Sequence, residues 1–261
     1  NHMPDGFDLA DQVSHPNICG FGKTLLEGVM EGKIKELVLV SCCDTIRSVY
    51  DILLESGKLD FLYILDVLHC DSVCSRERMA VQLKGLAKAY AKYKGTEFDA
   101  DKFRAAFHAP EKITKPHIAV LGARMGQELY EMTSKAIPLP VENDTCVHNR
   151  SVGNVLPPEN ASFDELMDWY AGEILGQIPC MRMMDPTGRK KLYNDPSVAG
   201  IIYHTVKFCD FYSFEYADIK NHTDVPLLKI ESDYTIQSSG QLLTRLEAFA
   251  ESIQPDTLEQ T

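Results

Sequence analysis

The stretch ELVLVSCCDTIRSVYDILLES (Glu36–Ser56), followed four residues later by FLYILD (Phe61–Asp66), decides the fold class. Glu36–Ser41 is a short continuous apolar run, the pattern of a parallel strand buried on both faces. Ile46, Val49, Tyr50, Leu53 and Leu54 then recur at helical spacing, which predicts an amphipathic helix over Thr45–Ser56. Phe61–Asp66 returns to strand composition. A strand, a helix and a second strand within about thirty residues make a βαβ unit, whose two strands run parallel.

The same alternation extends in both directions. Upstream, Thr24–Lys33 reads as a helix and residues 4–18, polar with Pro and Gly, as an arm. Downstream, Ser75–Tyr93 is a long helix with Met79, Leu83, Leu86 and Tyr90 on one stripe, and Asp99–Phe107 is a further helix. The segment APEKITKP (Ala109–Pro116), with two prolines and charges, breaks the pattern and marks a domain boundary. Beyond it, strands are expected at His117–Leu121, Ile137–Val141, Ala199–Thr205 and Pro226–Ile230. Helices are expected at Gln127–Lys135, Phe163–Gly176, Thr187–Tyr193 and Gly240–Glu251. The prolines of Ile137–Val141 make that strand an edge strand or an irregular one. The expected architecture is α/β, with two doubly wound parallel-sheet domains: an arm over 1–16, an N-terminal domain over 17–112 and a C-terminal domain over 113–261. Asn1-His2-Met3 reads as a tag remnant and carries no weight in the fold.

The net charge of −12 makes the surface as a whole repel nucleic acid and anionic lipid, so neither is an expected partner. No apolar run approaches the roughly 20 residues of a membrane span. No stretch reads as a signal peptide, and a cytoplasmic location is expected. The eight cysteines are then either packing residues or metal ligands, because disulfides are rare in that compartment.

Position sorts them. Ligands of parallel α/β domains bind beyond the carboxyl ends of the strands. Cys42-Cys43-Asp44 follows ELVLVS, and Cys209-Asp210 follows AGIIYHTVKF, each leading into an aromatic-bearing segment. A second echo pairs Cys19 and Lys23 with Cys146 and Arg150, each cation four residues after its cysteine. Such echoes fit two related domains facing across a cleft, where cysteines distant in sequence converge. Thiolates are soft ligands that hold iron–sulfur clusters, and nearby cations or helix N-termini favour the thiolate. Packing remains the alternative for any one of them. Cys42 and Cys43, being adjacent, do not readily ligate one iron, and Cys43, which carries the Asp, is the expected ligand; Cys42 and Cys146 are weaker candidates. His69-Cys70-x-x-x-Cys74 offers zinc ligands without a second pair at finger-like spacing, and Cys180 reads as core or as support for the site.

Gly122–Gly126 (GARMG), between a strand and a helix, is either a phosphate-holding turn or a plain connection. His204, at a strand end near Cys209, is a candidate proton carrier or a hydrogen-bonded structural residue. Glu231 and Asp233, after the last strand, either stand where catalytic carboxylates often sit or cap the closing helix region.

The segments AGIIYHTVKFCDFYSFEYADIK (199–220) and VPLLKIESDYTIQSSGQLLTRLEAFAE (225–251) resemble the C-terminal part of the 2-hydroxyacyl-CoA dehydratase / benzoyl-CoA reductase D-component family. NDTCVHNR (143–150) resembles its mid-chain motif, and ICGFGKTLLEGV (18–29) and SCCDTIRSVYDIL (41–53) its first cysteine and first Cys-Asp motif. The resemblance implies two flavodoxin-like domains with a cluster between them, a 4Fe–4S cubane ligated by Cys19, Cys43 and Cys209. It further implies an ATP-dependent activator that delivers one electron, a homologous cluster-bearing subunit or a self-dimer as partner, and an acyl-CoA substrate. In such dehydratases the electron reaches the thioester carbonyl, forms a ketyl radical anion and expels the hydroxyl group. The expected activity is that of a lyase component, with a non-catalytic electron-transfer protein as the alternative. The chain is shorter than subunits of this family, which bears on whether it carries a full CoA pocket.

Overall fold

The computed structural model describes residues 4–107, 115–145, 156–176, 181–235 and 239–253. The N-terminal half opens with a short helix, α1 (Ala10–Val13), and then α2 (Gly20–Met30), β1 (Glu36–Val40), α3 (Asp44–Ser56), β2 (Phe61–Leu65), α4 (Val73–Lys94) and α5 (Ala100–Ala105). β1 and β2 pair in parallel, Glu36 opposite Phe61 through Val40 opposite Leu65. One face of this pair is covered by α2 and α3, whose Leu26, Val29, Ile46, Val49 and Leu53 pack with Leu39. Leu65 on the other face meets Met79, Ala80 and Leu83 of α4.

The C-terminal half continues with β3 (His117–Gly122), α6 (Gln127–Ala136), β4 (Val141–Asn143), α7 (Phe163–Gly176), α8 (Thr187–Tyr193), β5 (Val198–Val206), α9 (Asp210–His222), β6 (Leu227–Ser232) and α10 (Ser239–Ser252). Its four strands form a parallel sheet in the order β4-β3-β5-β6. The chain winds one way from β3 to β4 and the other way from β3 to β5, so a topological switch point lies between β3 and β5. Every residue of β3 is buried, as a central parallel strand requires. α6 and α10 cover one face through Leu129, Leu242, Leu246 and Phe249; Tyr193, Tyr212 and Ile219 cover the other. Helices on both faces of each sheet make both halves doubly wound.

Helix α7 lies beyond β4 in sequence but packs on α4 of the N-terminal half, burying Leu166, Met167, Ala171 and Leu175 beside Met79 and Leu83. The boundary expected at 112/113 lies outside the described residues. No helix among the described residues is long and apolar enough to cross a membrane.

Four sequence expectations are corrected. Helix α2 begins at Gly20, not Thr24: Gly20 and Gly22 are poor helix formers, retained where neighbours leave no room for a larger side chain. Strand β4 starts at Val141, the last residue of the stretch expected to form it, because Pro138 and Pro140 have no N–H to give a ladder. It does lie at the sheet edge. Leu54, assigned to the buried face of α3, is 60% exposed. The aromatic segment after Cys209, given no element from sequence, is helix α9.

Candidate metal centre

Three cysteines occupy the same structural position on three different elements. Cys19 is the N-cap of α2, Cys43 of α3 and Cys209 of α9, each with an extended backbone that turns into helix at the next residue. None makes the ordinary oxygen cap bond, which a thiol cannot supply. Instead the amides two and three residues on favour the thiolate: Phe21 and Gly22 for Cys19, Thr45 and Ile46 for Cys43, Phe211 and Tyr212 for Cys209. The positive end of each helix adds to this bias.

The sheet topology brings Cys43 to the carboxyl end of β1 and Cys209 to that of β5, through a turn in which Cys209 N donates to Val206 O at 2.9 Å. Cys19 follows no strand. It arrives through the docking of α2 on the C-terminal half, where it packs among Leu121, Tyr203 and Tyr234. Gly20 N donates to Lys207 O at 3.4 Å, and a Cβ on Gly20 would overlap the Asp233 carbonyl, whose carbon is 2.8 Å from that position. The missing side chain lets the two halves meet at the residue next to Cys19.

The three thiols lie within electrostatic reach of one another. Burial raises the Cys19 thiol above its ordinary value, and the charges of Cys209 and Cys43 raise it further. Burial likewise raises Cys209, opposed by the Tyr212 amide and the Arg182 guanidinium. Cys43 moves the other way, to about 6, because Cys42 hydrogen-bonds to its sulfur; the Ile46 and Thr45 amides and Arg182 assist against burial. Arg182, which sequence reasoning did not identify, also stacks on Phe211 at 4.2 Å and on Tyr212 at 5.8 Å. Its loop is tied to the N-terminal half by Met184 N donating to His69 O at 2.8 Å.

The donor set fits a thiolate-ligated cluster. Three soft sulfurs, six helix-start amides and one guanidinium converge, and that environment suits a soft, anionic group. Among the described residues no group of three or more His, Cys, Asp or Glu is gathered to hold a single metal ion. In the metal-free protein Cys43 is expected to be the thiol alkylated fastest at pH 7. A sulfur that titrates near 6 is largely thiolate there, whereas an ordinary cysteine titrates near about 8.5. Residue-resolved alkylation across pH 5–8 checks this: the Cys43 rate should fall as pH drops through about 6, and preferential labelling of Cys19 or Cys209 would count against it.

The remaining sequence candidates lie elsewhere. His204 is fully buried, donating from Nδ1 to Ala123 O at 3.0 Å and accepting at Nε2 from the Ser232 hydroxyl at 2.8 Å. Burial lowers it to about 4, so it is neutral at pH 7 with both nitrogens engaged. Glu231 is exposed, and Asp233 Oδ1 accepts from Thr235. Lys23 reaches Asp11 at 2.6 Å and clamps the arm rather than the thiols. Cys70 contacts the Ser75 hydroxyl at 2.9 Å and Cys74 is exposed. Cys146, Arg150 and Cys180 lie outside the described residues. In the GARMG turn, Arg124 stands over Phe21 at 5.8 Å and its carbonyl accepts from the Tyr234 hydroxyl. A cleft of about 390 Å³ opens there beside Cys19's helix, lined by Phe21, Leu25, Lys33, Arg124 and Tyr234. A larger groove, about 640 Å³, lies along Glu36–Val38 between α4, α5 and α7, where none of the candidate site residues reaches it.

A family model described as 2-hydroxyglutaryl-CoA dehydratase, D-component, matches residues 2–115 and 108–253. The chain belongs to this family. Its two matches divide the chain much as the two sheets do. Among curated relatives, the beta subunit of (R)-2-hydroxyglutaryl-CoA dehydratase from Acidaminococcus fermentans is 38% identical over 126 residues, 44% of this chain and 33% of the relative. The beta subunit of (R)-phenyllactyl-CoA dehydratase from Clostridium sporogenes is 25% identical over 121 residues, 43% of this chain and 31% of the relative. The matched region spans about a third of the length of these curated relatives.

Proposed function

We propose that Cys19, Cys43 and Cys209 hold an iron–sulfur cluster, most simply a 4Fe–4S cubane, and that the chain serves as the cluster-bearing component of a 2-hydroxyacyl-CoA dehydratase-like lyase. The observation that carries this reading is the threefold repeat of a cysteine at a helix N-cap, brought together from three distant segments. Three protein ligands leave one iron of a cubane open, as a centre that meets substrate requires. A cluster held there would supply one electron at low potential to a thioester carbonyl.

The chain's own residues then have defined parts. The amides at the three helix starts and Arg182 offset the negative charge of the thiolates. The docking at Gly20 closes the space between the halves and limits water around the site. The cleft lined by Phe21, Arg124 and Tyr234 offers an apolar wall and a cation beside the helix that Cys19 caps, suited to a thioester arm with an anionic end. An ATP-dependent activator as electron source and a homologous subunit or second copy complete the proposed assembly, in keeping with the relatives' description as beta subunits of dehydratases. A second reading, an electron-carrying protein without its own acyl-CoA, is favoured by the modest cleft of about 390 Å³, at the lower end of ligand pockets.

Iron and acid-labile sulfide after strictly anaerobic purification test the proposal, with Cys209→Ala beside the parent. The parent is expected to carry about four irons per chain, the content of one cubane, and the variant to lose them. A parent that stays iron-free after reconstitution overturns it. A change in the bound cluster's spectrum on adding an acyl-CoA separates the lyase reading from the electron carrier.

A further inference from the structure

Beneath Cys209 lies a buried polar trio that the proposed function does not use. Arg189 of α8 presents Nε and Nη2 to the two carboxylate oxygens of Glu215 on α9, the Nη2–Oε2 distance being 2.8 Å. The Tyr203 hydroxyl, from β5, donates to the same Oε2 at 2.5 Å. All three side chains are buried, Tyr203 completely. Three elements are thus joined through one carboxylate.

A buried ion pair is a poor device for stability, because desolvation offsets its attraction and apolar groups of similar volume serve as well. The trio is not even complete as a polar network: Arg189 Nη1 is buried without a partner among the described residues. What such a pair supplies is direction. Apolar packing of Tyr212 and Ile219 holds α9 against the sheet but sets its rotation and slide only loosely, since the hydrophobic effect has no direction. A bidentate guanidinium–carboxylate pair with a hydroxyl on one oxygen permits one placement.

That placement is transmitted to the metal centre. Glu215 lies less than two turns along α9 from Cys209, and between them Tyr212 presents its amide to the Cys209 sulfur while its ring lies in the field of Arg189. On the other side of Cys209, Phe208 has φ of 64°, a conformation that a bulky residue holds only where its surroundings over-determine it. We propose that Arg189, Glu215 and Tyr203 are positioning residues that fix the start of α9, and with it the Cys209 sulfur, in the geometry a metal centre needs. The metal part of this rests on the cluster reading; the placement of the thiol does not.

The test replaces the pair by apolar groups, Arg189→Met with Glu215→Leu, and reads three quantities. They are the thermal midpoint, the ratio of Cys209 to Cys43 alkylation in metal-free protein, and the chelator concentration that removes half the iron from reconstituted protein. The expected result is a folded variant whose alkylation ratio shifts several-fold and whose iron is lost at roughly 10- to 100-fold less chelator, the usual effect of removing a group that supports a metal ligand. A folded variant with parental ratio and iron retention overturns the proposal and leaves the trio a packing element. Should the double variant fail to fold, Tyr203→Phe, which deletes one hydroxyl, is read in the same way: a shifted ratio supports the proposal and an unchanged one overturns it. If the parent itself binds no iron, the cluster reading falls, and the alkylation ratio alone decides the positioning role.

Discussion

Gly20→Ala is expected to abolish retention of the cluster proposed at Cys19 while leaving both halves folded. Alanine in place of glycine within a helix ordinarily adds about 1 kcal/mol of helix stability, so local propensity predicts a gain. The contact predicts the opposite. A Cβ at residue 20 would overlap the Asp233 carbonyl oxygen, with the carbonyl carbon at 2.8 Å, and both are backbone that cannot swing aside. The N-terminus of α2 must therefore back away from the β6–α10 connection, taking Cys19 with it. Loss of the support that orients a metal ligand costs a site roughly 10- to 100-fold in affinity. Iron content should collapse, the Gly20–Lys207 hydrogen bond should lose its exchange protection, and the circular dichroism of the two sheets should persist. Full iron occupancy in the variant would show that the halves do not meet at this residue.

Gly122→Ala is expected to have the largest effect on stability. Gly122 ends β3 at φ of 98°, and its added Cβ would run into the His204 carbonyl of β5, with the His204 carbon at 3.1 Å. The backbone conformation alone costs an L-residue about 1–3 kcal/mol. The clash adds to this by forcing apart the two central strands, where Ala119 pairs with Ile201 and Leu121 with Tyr203. A loss of roughly 3 kcal/mol or more is expected, within the range of severe point mutations. It should appear as a lower denaturant midpoint with an unchanged slope, since the surface exposed on unfolding stays the same. A change below about 0.5 kcal/mol, the level of an ordinary surface substitution, would count against the strained approach of β3 to β5.

Much of the architecture follows from local pattern. Helices Phe163–Gly176 and Thr187–Tyr193 have the bounds that their sequence predicts, and β1, β2 and β3 fall within one residue of expectation, because continuous apolar runs and helical spacing act over a few residues. Where the pattern misleads, a contact with a distant segment has overridden it. Gly20 and Gly22 look like helix breakers until Asp233 and Thr45 are seen against them. Leu54 fits the apolar stripe of α3, yet no partner element reaches it. Helix α9 has aromatic residues on both its faces, Tyr212 inward and Phe211 and Phe214 outward, so it shows no clean amphipathic period.

The sequence by itself determined that this is a parallel α/β protein of two related halves, that its cysteines at strand ends deserve attention, and which family its motifs resemble. All of these are properties of short segments, legible one at a time. Only the tertiary structure decided that Cys19, Cys43 and Cys209 come within electrostatic reach of one another, that the charge of Arg182 acts on two of them, and that Arg189, Glu215 and Tyr203 are joined on the helix that Cys209 caps. Convergence depends on how α2 docks and how β5 is ordered in its sheet. Those are set by packing between residues up to about two hundred positions apart, at a range where periodicity and propensity carry no information.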